Sequence, residues 1–218
     1  MRELDMRPHG TRGLLLTFCG LDGCGKTTML TRLKGELEKS RAVFLTKQPT
    51  PSVRQSAIFR NYMDQPNHDA FDYRSLSLLA ASDRLQHVNK VILPHLKQGE
   101  TVISDRYFYS CLANLRARGY TGDKWIYEIA GSVIKPDIAF FFDVPVSTAV
   151  CRVRSREDER DRYIDLGLQY RLRDEYLEIC KANGGVLVPT DISIDESYAL
   201  VKKAVKEVIG DEIDKNGD

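Results

Sequence analysis

Short apolar runs alternate along the chain with longer stretches in which apolar residues recur every three or four positions. The runs are a few residues long and consist largely of Val, Ile, Leu and Phe, which is typical of buried strands. They are Leu14–Phe18, Ala42–Leu45, Thr101–Ser104, Ile138–Val144 and Val186–Val188. Because each pair of runs leaves room for a helix, the pattern predicts an α/β fold with a mostly parallel sheet of about five strands and helices on both faces.

Two helices have the clearest periodicity. The stretch Lys26–Lys39 places Met29, Leu30, Leu33 and Leu37 at core spacing, and a longer helix is predicted from about Tyr73 to Lys97, with Gly99 as its C-terminal cap. The segment Ile138–Phe142 is apolar almost throughout, which favours a central strand that is buried on both sides.

Length and composition suit one domain. The 218 residues can bury a full core, and we expect a single domain over residues 13–210, with flexible segments at 1–12 and 211–218. Lys and Arg total 32 against 31 acidic residues, so a nucleic acid polymer or an anionic membrane is not the expected partner. The apolar runs are too short to span a bilayer, and the polar start lacks a secretory core, which favours the cytoplasm.

Cysteine and histidine do not indicate a metal centre. The five cysteines are odd in number and show no CxxC spacing, which argues against a disulfide framework or a zinc site. His68, His87 and His95 have no carboxylate or second histidine at ligand spacing, so we expect them to be structural or on the surface.

A glycine-rich segment, Gly20–Thr28, follows the first predicted strand and opens the first helix. It fits the phosphate-loop pattern G-x-x-x-x-G-K-[ST] in full, so it predicts binding of a nucleoside triphosphate. Glycines let backbone N–H groups surround phosphate oxygens, Lys26 supplies a compact positive charge, and the Thr27 hydroxyl is available to Mg²⁺. The candidate ATP-binding residues are Gly20, Gly23, Cys24, Gly25, Lys26, Thr27 and Thr28.

Charged residues follow two other predicted strands. Asp105 and Arg106 come after the third, while Lys47, Arg54 and Arg60 come after the second. Ligands of parallel α/β sheets lie at the carboxyl ends of the strands, so these residues belong to the same predicted site. There a carboxylate such as Asp105 can hold Mg²⁺, and an arginine can grip a second phosphate bidentately.

Several blocks in a fixed order resemble the thymidylate kinase family. They are the loop Gly20–Thr28, the segment Thr46–Ser52, Leu78–Arg84 with His87 and Pro94 behind it, Asp105–Tyr107 with Ser110 and Ala113, and Pro136-Asp137 leading into Phe142–Pro145. The resemblance runs from about Gly13 to Ile209. It implies a three-layer P-loop NTPase fold, a homodimer through helices near Tyr73–Leu96 and Asp105–Leu115, and transfer of the γ-phosphate of ATP to the 5′-phosphate of dTMP.

The resemblance also implies a role for each matching residue. Lys26 and the loop amides would hold the ATP phosphates with Mg²⁺, and Asp22 would approach the sugar 3′-hydroxyl. Arg106, with Arg60 and Lys47, would grip the acceptor phosphate. Arg84 would hydrogen-bond the base, beside Ala80, Cys111 and Asn114.

An arginine-rich segment, Arg152–Arg162, follows the fourth predicted strand and a short helix, where the resemblance places a lid at about residues 154–163. One interpretation is a solvated run of self-paired charges. The other is catalytic: the phosphate loop has no arginine of its own, so Arg156, Arg160 or Arg162 closes over the phosphates.

The predicted acceptor pocket departs from the family. Ala80 stands where the family has a phenylalanine that stacks on thymine, and Cys111 and Asn114 replace a polar residue and a tyrosine. The family's T-R-E-P is Thr46-Lys47-Gln48-Pro49. Either another ring fills the gap, the candidates being Phe71, Tyr73, Phe108 and Tyr109, or the pocket suits another nucleotide, such as a purine or a modified pyrimidine.

Two other classes of function remain open at this point. A deoxynucleoside kinase needs a carboxylate base near the sugar hydroxyl, for which Asp22 is the candidate, while Gln48 stands where an acid would be wanted. A nucleotide-binding regulatory protein with reduced catalysis is the other class. The retained Arg106 and the arginine-rich segment argue against it, because neither is needed for binding alone.

Overall fold

Five strands form the centre of the protein. The computed structural model describes residues 1–64, 72–161 and 163–210. Within them the strands are β1 (Leu14–Gly20), β2 (Val43–Lys47), β3 (Thr101–Asp105), β4 (Ile138–Asp143) and β5 (Val186–Pro189). They form one sheet in the order β2-β3-β1-β4-β5, and every neighbouring pair is parallel. The predicted α/β fold with a five-stranded parallel sheet is confirmed.

Helices follow the strands in turn. They are α1 (Lys26–Leu37), α2 (Pro51–Arg54), α3 (Ala57–Asp64), α4 (Tyr73–His87), α5 (Leu93–Lys97), α6 (Phe108–Ala117), α7 (Trp125–Ala130), α8 (Val146–Arg154), α9 (Leu166–Ala182) and α10 (Ile194–Ile209). The predicted long helix is α4 and α5 joined by a π-helical turn at Val88–Ile92. It ends before Gly99, whose φ of 84° is the left-handed conformation expected of a C-terminal glycine.

The inner strands β1 and β4 are buried on both sides of the sheet. All seven residues of β1 are buried, as are the first five of β4, so the predicted central position of that apolar run is confirmed. Successive side chains alternate between the two faces. Phe140 and Phe142 pack with Phe18 of β1, whereas Phe141 packs with Tyr109 of α6 and Tyr176 of α9. The four predicted core residues of α1 are buried.

The N-terminal segment packs on the domain. Leu4 and Met6 are buried, and the Leu4 N–H donates to Asn183 Oδ1 at 3.0 Å. Arg7 pairs with Ile134 as an isolated bridge, and His9 Nε2 lies 3.0 Å from Asp137 Oδ2. A flexible segment was expected at residues 1–12, but the structure packs it on the domain. Leu4 and Met6 bury apolar surface against the core, and two apolar residues in a mostly polar segment did not indicate this. Residues 211–218 lie outside the described ranges.

No helix among the residues that the structure describes combines the length and apolar character needed to cross a membrane.

Candidate active site

A cavity of about 600 Å³ opens at the carboxyl ends of the central strands. Its walls are the β1–α1 loop, the segment after β2, one face of α4, one face of α6 and the N-terminal half of α9. This is the position that the fold class predicts for a ligand site. Most of the predicted site residues reach it: Gly20, Asp22, Gly23, Gly25, Lys26, Thr27, Thr28, Lys47, Arg60, Ala80, Arg84, Asp105, Arg106, Cys111, Asn114 and Arg156.

The β1–α1 loop requires glycine at two points. Gly23 has a φ of 81°, and a Cβ there would lie 2.2 Å from the carbonyl oxygen of Ala149. Gly25 has a φ of 84° and precedes α1, whose first-turn N–H groups receive no side-chain cap. Open N–H groups and the positive end of a twelve-residue helix suit a bound phosphate.

Lys26 lies inside this loop. Its side chain is buried, and Nζ donates to the carbonyl oxygens of Gly20 and Leu21 at 3.0 and 2.6 Å. Cys24, predicted among the ATP-binding residues, is fully buried and does not line the cavity. Its carbonyl oxygen accepts from Thr190 Oγ1 at 3.0 Å, so the residue holds the loop against the segment after β5.

Both the backbone and the side chain of Arg106 are held in specific positions. Its φ of 71° is the only positive value that a residue other than glycine shows in the described ranges. Its guanidinium donates to Asp22 Oδ1, to Tyr176 Oη at 3.0 Å and to the Gly20 carbonyl oxygen at 3.1 Å. Burial disfavours its charged form, but Asp22 and other groups outweigh this and raise the pKa of Arg106 well above its ordinary value. The buried group therefore stays a cation.

Lys26 and Arg106 thus converge on one atom, the carbonyl oxygen of Gly20. One cation comes from the phosphate loop and the other from the end of β3. Two cations that bind the same oxygen atom repel each other unless anionic groups lie between them. The cavity beside Lys26 and Arg106 is therefore suitable for two phosphates.

Asp105 lies beside this pair. Its Oδ2 is 3.0 Å from Lys47 Nζ, so the predicted acceptor-phosphate lysine is held by the predicted metal ligand. Its Oδ1 is buried and makes no hydrogen bond with the described part of the chain. The Thr27 hydroxyl lies on the exposed first turn of α1, at the same cavity.

No group of three or more His, Cys, Asp or Glu side chains in the described ranges is placed to hold a metal ion. One carboxylate oxygen and one hydroxyl would instead suit Mg²⁺, which keeps several waters and takes further ligands from substrate phosphates.

Two helices run antiparallel along the cavity. Near the phosphate end, Arg84 of α4 donates through Nε to the Tyr107 carbonyl oxygen at 3.3 Å, at the start of α6. Its Nη1 donates to the Ala80 carbonyl oxygen at 2.9 Å. Ala80, Cys111 and Asn114 line the middle of the cavity, so the structure brings the predicted base-pocket residues together.

Aromatic rings line the far end, where Tyr62 and Tyr73 lie with ring centroids 5.3 Å apart. Of the candidates to replace the missing phenylalanine, only Tyr73 lines the cavity among the described residues. Phe108 and Tyr109 are buried in the core instead. The fourth candidate, Phe71, lies outside the described residues.

The arginines predicted for the lid differ in their position relative to the cavity. Arg156 lines the cavity, where its Nη1 lies 3.4 Å from Glu159 Oε1. Arg160 is exposed and does not line it, and Arg162 lies outside the described residues. Arg152 donates to the Thr190 carbonyl oxygen at 2.9 Å and to the Gly23 carbonyl oxygen at 3.5 Å, so it supports the phosphate loop from behind.

Three contributors had no clear signal in the sequence. Tyr62 lies in α3, Tyr176 lies in α9 and Arg118 directly follows α6, and none of the three is part of a motif. Arg118 shows one weak local signal, because it follows Asn114 by four residues, the spacing at which helical side chains meet.

His87 and His95 have the structural roles that the sequence predicts. His95 stacks on Phe44 and lies 2.7 Å from Glu100 Oε2. His87 is buried between Thr46 Oγ1 at 2.9 Å and Gln48 Nε2 at 3.1 Å, so it holds the end of β2 and the residue after it against α4. His68 lies outside the described residues.

Stability should therefore depend on the protonation of His87. Burial lowers the pKa of His87, Asp83 opposes this, and Arg84 adds to it. The unfolded chain, with a pKa of about 6.5, takes up the proton first as the pH falls. We expect the free energy of unfolding to decrease below pH about 6.5, by at most about 1.4 kcal/mol per pH unit from this group.

Urea unfolding between pH 5 and 8 measures this dependence. In His87→Gln the same pH range should show a shallower slope, because the side chain no longer titrates. Equal slopes in the two proteins would contradict the assignment.

Comparisons with known proteins find similarity along most of the chain. The family model described as thymidylate kinase matches residues 18–203. A relative from Pyrococcus horikoshii, named a probable thymidylate kinase, is 37% identical over 206 residues, which cover 91% of this chain and 99% of the relative. The thymidylate kinase of a Geobacillus species is 32% identical over 207 residues, covering 91% and 98%. That of a Synechococcus species is 32% identical over 203 residues, covering 88% and 95%.

Proposed function

The chain belongs to the thymidylate kinase family, and we propose that the cavity described above is where it carries out that family's reaction. The protein is an ATP-dependent phosphotransferase that transfers the γ-phosphate of ATP to the 5′-phosphate of dTMP, giving dTDP and ADP. The observation that supports this location best is the convergence of Lys26 and Arg106 on the Gly20 carbonyl oxygen.

The convergence fits phosphoryl transfer because that reaction depends on positioning and on neutralising charge. In our proposal Lys26 and the N–H groups of the β1–α1 loop bind the ATP phosphates. Arg106 binds the dTMP phosphate together with Lys47 and Arg60, which line the same cavity. The γ-phosphate then lies between the two sets of cations, where both can stabilise the charge that moves.

The acceptor nucleoside would extend from there between α4 and α6. Asp22, which pairs with Arg106, would approach the sugar 3′-hydroxyl. Arg84 would hydrogen-bond the base, and Ala80, Cys111 and Asn114 would surround it. Gln48 also lines the cavity and lies 3.1 Å from His87 Nδ1, but its amide cannot accept a proton, so it does not supply the base that a deoxynucleoside kinase would need.

Mg²⁺ is part of the proposal. Asp105 Oδ1, which has no hydrogen-bond partner among the described residues, and the exposed hydroxyl of Thr27 fit a hard, oxygen-seeking cation beside the ATP phosphates. When bound, the ion would neutralise phosphate charge.

A coupled assay of ADP release tests the function. Mg-ATP is offered with a panel of nucleoside monophosphates and nucleosides, and we expect dTMP to be the preferred acceptor. Lys26→Ala should lower kcat by about 10²-fold, the usual cost of one lost electrostatic contact to the reacting group. EDTA should abolish turnover. Preference for another monophosphate would instead make Ala80, Cys111 and Asn114 the determinants of a different specificity, and no turnover with any acceptor would favour a binding role.

Arg32→Lys is a suitable control for Lys26→Ala, because Arg32 lies on the same helix and pairs with Asp195 away from the cavity. We expect it to keep the activity of the parent.

The homodimer and the cytoplasmic location remain predictions. A dimer through α4 would cover Leu78, which is 46% exposed in the single chain. Light scattering during gel filtration would distinguish a dimer from a monomer.

A further inference from the structure

The short helix α2 ends in an arginine that lies outside the family's motifs. This residue, Arg54, lines the cavity together with Lys47 and Arg60. Its Nε atom is buried and has no hydrogen-bond partner among the residues that the structure describes. A buried cationic donor without an acceptor is costly, so this one indicates a partner that the chain itself does not supply.

Arg54 also differs from neighbouring cations of the cavity in its charge balance. Lys47 pairs with Asp105, with 3.0 Å between Nζ and Oδ2. Arg106 pairs with Asp22. Within the described ranges no carboxylate pairs with Arg54, and the sequence has no Asp or Glu between positions 47 and 60. Its positive charge is therefore available to an anion that enters the cavity.

Backbone contacts fix the start of α2 beside the phosphate end of the cavity. The Gln48 N–H donates to the carbonyl oxygen of Asp105 at 3.0 Å, and Arg106 follows Asp105 directly. The Thr50 N–H donates to a carboxylate of α4 at 2.8 Å. The Thr50 carbonyl oxygen accepts from the Arg54 N–H at 3.0 Å, so Arg54 lies one helical turn, about 6 Å, beyond this anchored backbone.

The segment after β2 lacks a guanidinium at the position where the family has one. Lys47 stands in place of the arginine of the family's T-R-E-P, and it offers a point charge where arginine offers a planar fork. That charge is partly engaged by Asp105. Arg54 supplies a guanidinium on the same wall of the cavity, seven residues further along the chain.

We propose that Arg54 is a further acceptor-binding residue, which donates through Nε to an oxygen of the acceptor's 5′-phosphate and takes the place of the guanidinium that position 47 lacks. A phosphate oxygen satisfies the buried donor and the unpaired charge together, whereas a sugar hydroxyl or a base carbonyl satisfies only the donor. The inference rests on the proposed function, since it assumes that the cavity binds a nucleoside monophosphate.

The test compares dTMP with thymidine, which is the same nucleoside without the phosphate. Arg54→Met keeps a long unbranched side chain but removes the charge and the Nε donor. We expect it to raise the KM and the calorimetric Kd for dTMP by about 10-fold or more, the effect of losing one charge-assisted hydrogen bond. The Kd for thymidine and the KM for ATP should not change. Arg54→Lys, which keeps the charge, should recover part of the affinity for dTMP.

A purely structural role predicts a different result. If Arg54 only holds α2 in place, Arg54→Met would weaken dTMP and thymidine by the same factor, and the proposal would be overturned. A rise in the KM for ATP without a change for dTMP would also overturn it, because the donor would then serve the phosphates of ATP. Lys203→Gln is the control for lost charge, since Lys203 is exposed on α10 and does not line the cavity.

Calorimetry without ATP separates this inference from the proposed function. If the parent protein turns over no acceptor but binds dTMP more tightly than thymidine, and Arg54→Met removes that difference, the proposed function fails and the inference holds. If the parent and Arg54→Met phosphorylate dTMP with the same KM and bind it with the same Kd, the inference fails while the kinase activity remains.

Discussion

We expect Arg156→Ala to lower kcat for dTMP phosphorylation by about 10³-fold or more, which is the effect of removing an arginine that acts on a transferred phosphoryl group. Of the three lid arginines predicted from the sequence, Arg156 is the one that lines the cavity within the described residues. The phosphate loop supplies Lys26 but no arginine. The rate loss should appear mainly in kcat, because the contact strengthens as charge moves to the transferring group.

Arg160→Ala is the matched control for that experiment. Arg160 lies four residues further along the same segment, is exposed and does not line the cavity, so its removal should leave kcat within about threefold. Arg162→Ala should be measured beside it. If Arg160→Ala or Arg162→Ala lost activity while Arg156→Ala did not, the assignment within the lid would be wrong, and if all three kept it, the segment would be a solvated charge run.

Arg106→Ala should lower kcat/KM for dTMP by about 10³-fold, within the cost expected for truncating a buried charged contact. Arg106 reaches Gly20, Asp22 and Tyr176 at once, so its removal takes away the acceptor-phosphate cation and also leaves the Asp22 carboxylate without its guanidinium partner. Arg106→Lys should recover only part of the activity, because a point charge cannot reproduce the planar fork. Steady-state kinetics with varied dTMP measures the effect.

Backbone strain at position 106 offers a control that separates folding from chemistry. The φ of 71° is unfavourable for alanine but not for glycine. We expect Arg106→Gly to be more stable to urea than Arg106→Ala, with a free energy of unfolding about 1 kcal/mol higher. Both variants should lose activity to the same extent. Higher activity in the glycine variant would mean that the alanine result reports lost stability and not a lost phosphate contact.

In the predicted base pocket, the sequence shows that a ring is missing but not which residue replaces it. The substitution at Ala80 is visible in the sequence, and so is the need for something to replace a ring. Which residue replaces it depends on the packing of α3, α4 and the end of α6. Phe108 and Tyr109 are equally aromatic in sequence, yet both point into the core, because α6 is buried on that side.

Local patterns in the chain were sufficient to predict the strands of the sheet, the phosphate loop and the alternation of strands and helices along the chain. Apolar periodicity reports which face of an element is buried, and the glycine spacing of the loop reports backbone conformations that other residues cannot adopt. Both are properties of a few neighbouring residues. They therefore needed no knowledge of the rest of the molecule, and the five strands and the residues of α1 that face the core could be predicted.

The contacts that join distant segments could not be predicted from local patterns. Arg106 lies 84 residues from Asp22 and 70 from Tyr176, and Arg118 lies 56 from Tyr62. Each partner by itself is an ordinary polar or aromatic residue of a helix or loop. The N-terminal segment is polar in pattern, and only the core surface it covers makes Leu4 and Met6 buried. Side-chain direction at the end of an element is set by the neighbours that the fold brings there, and those neighbours are remote in the chain.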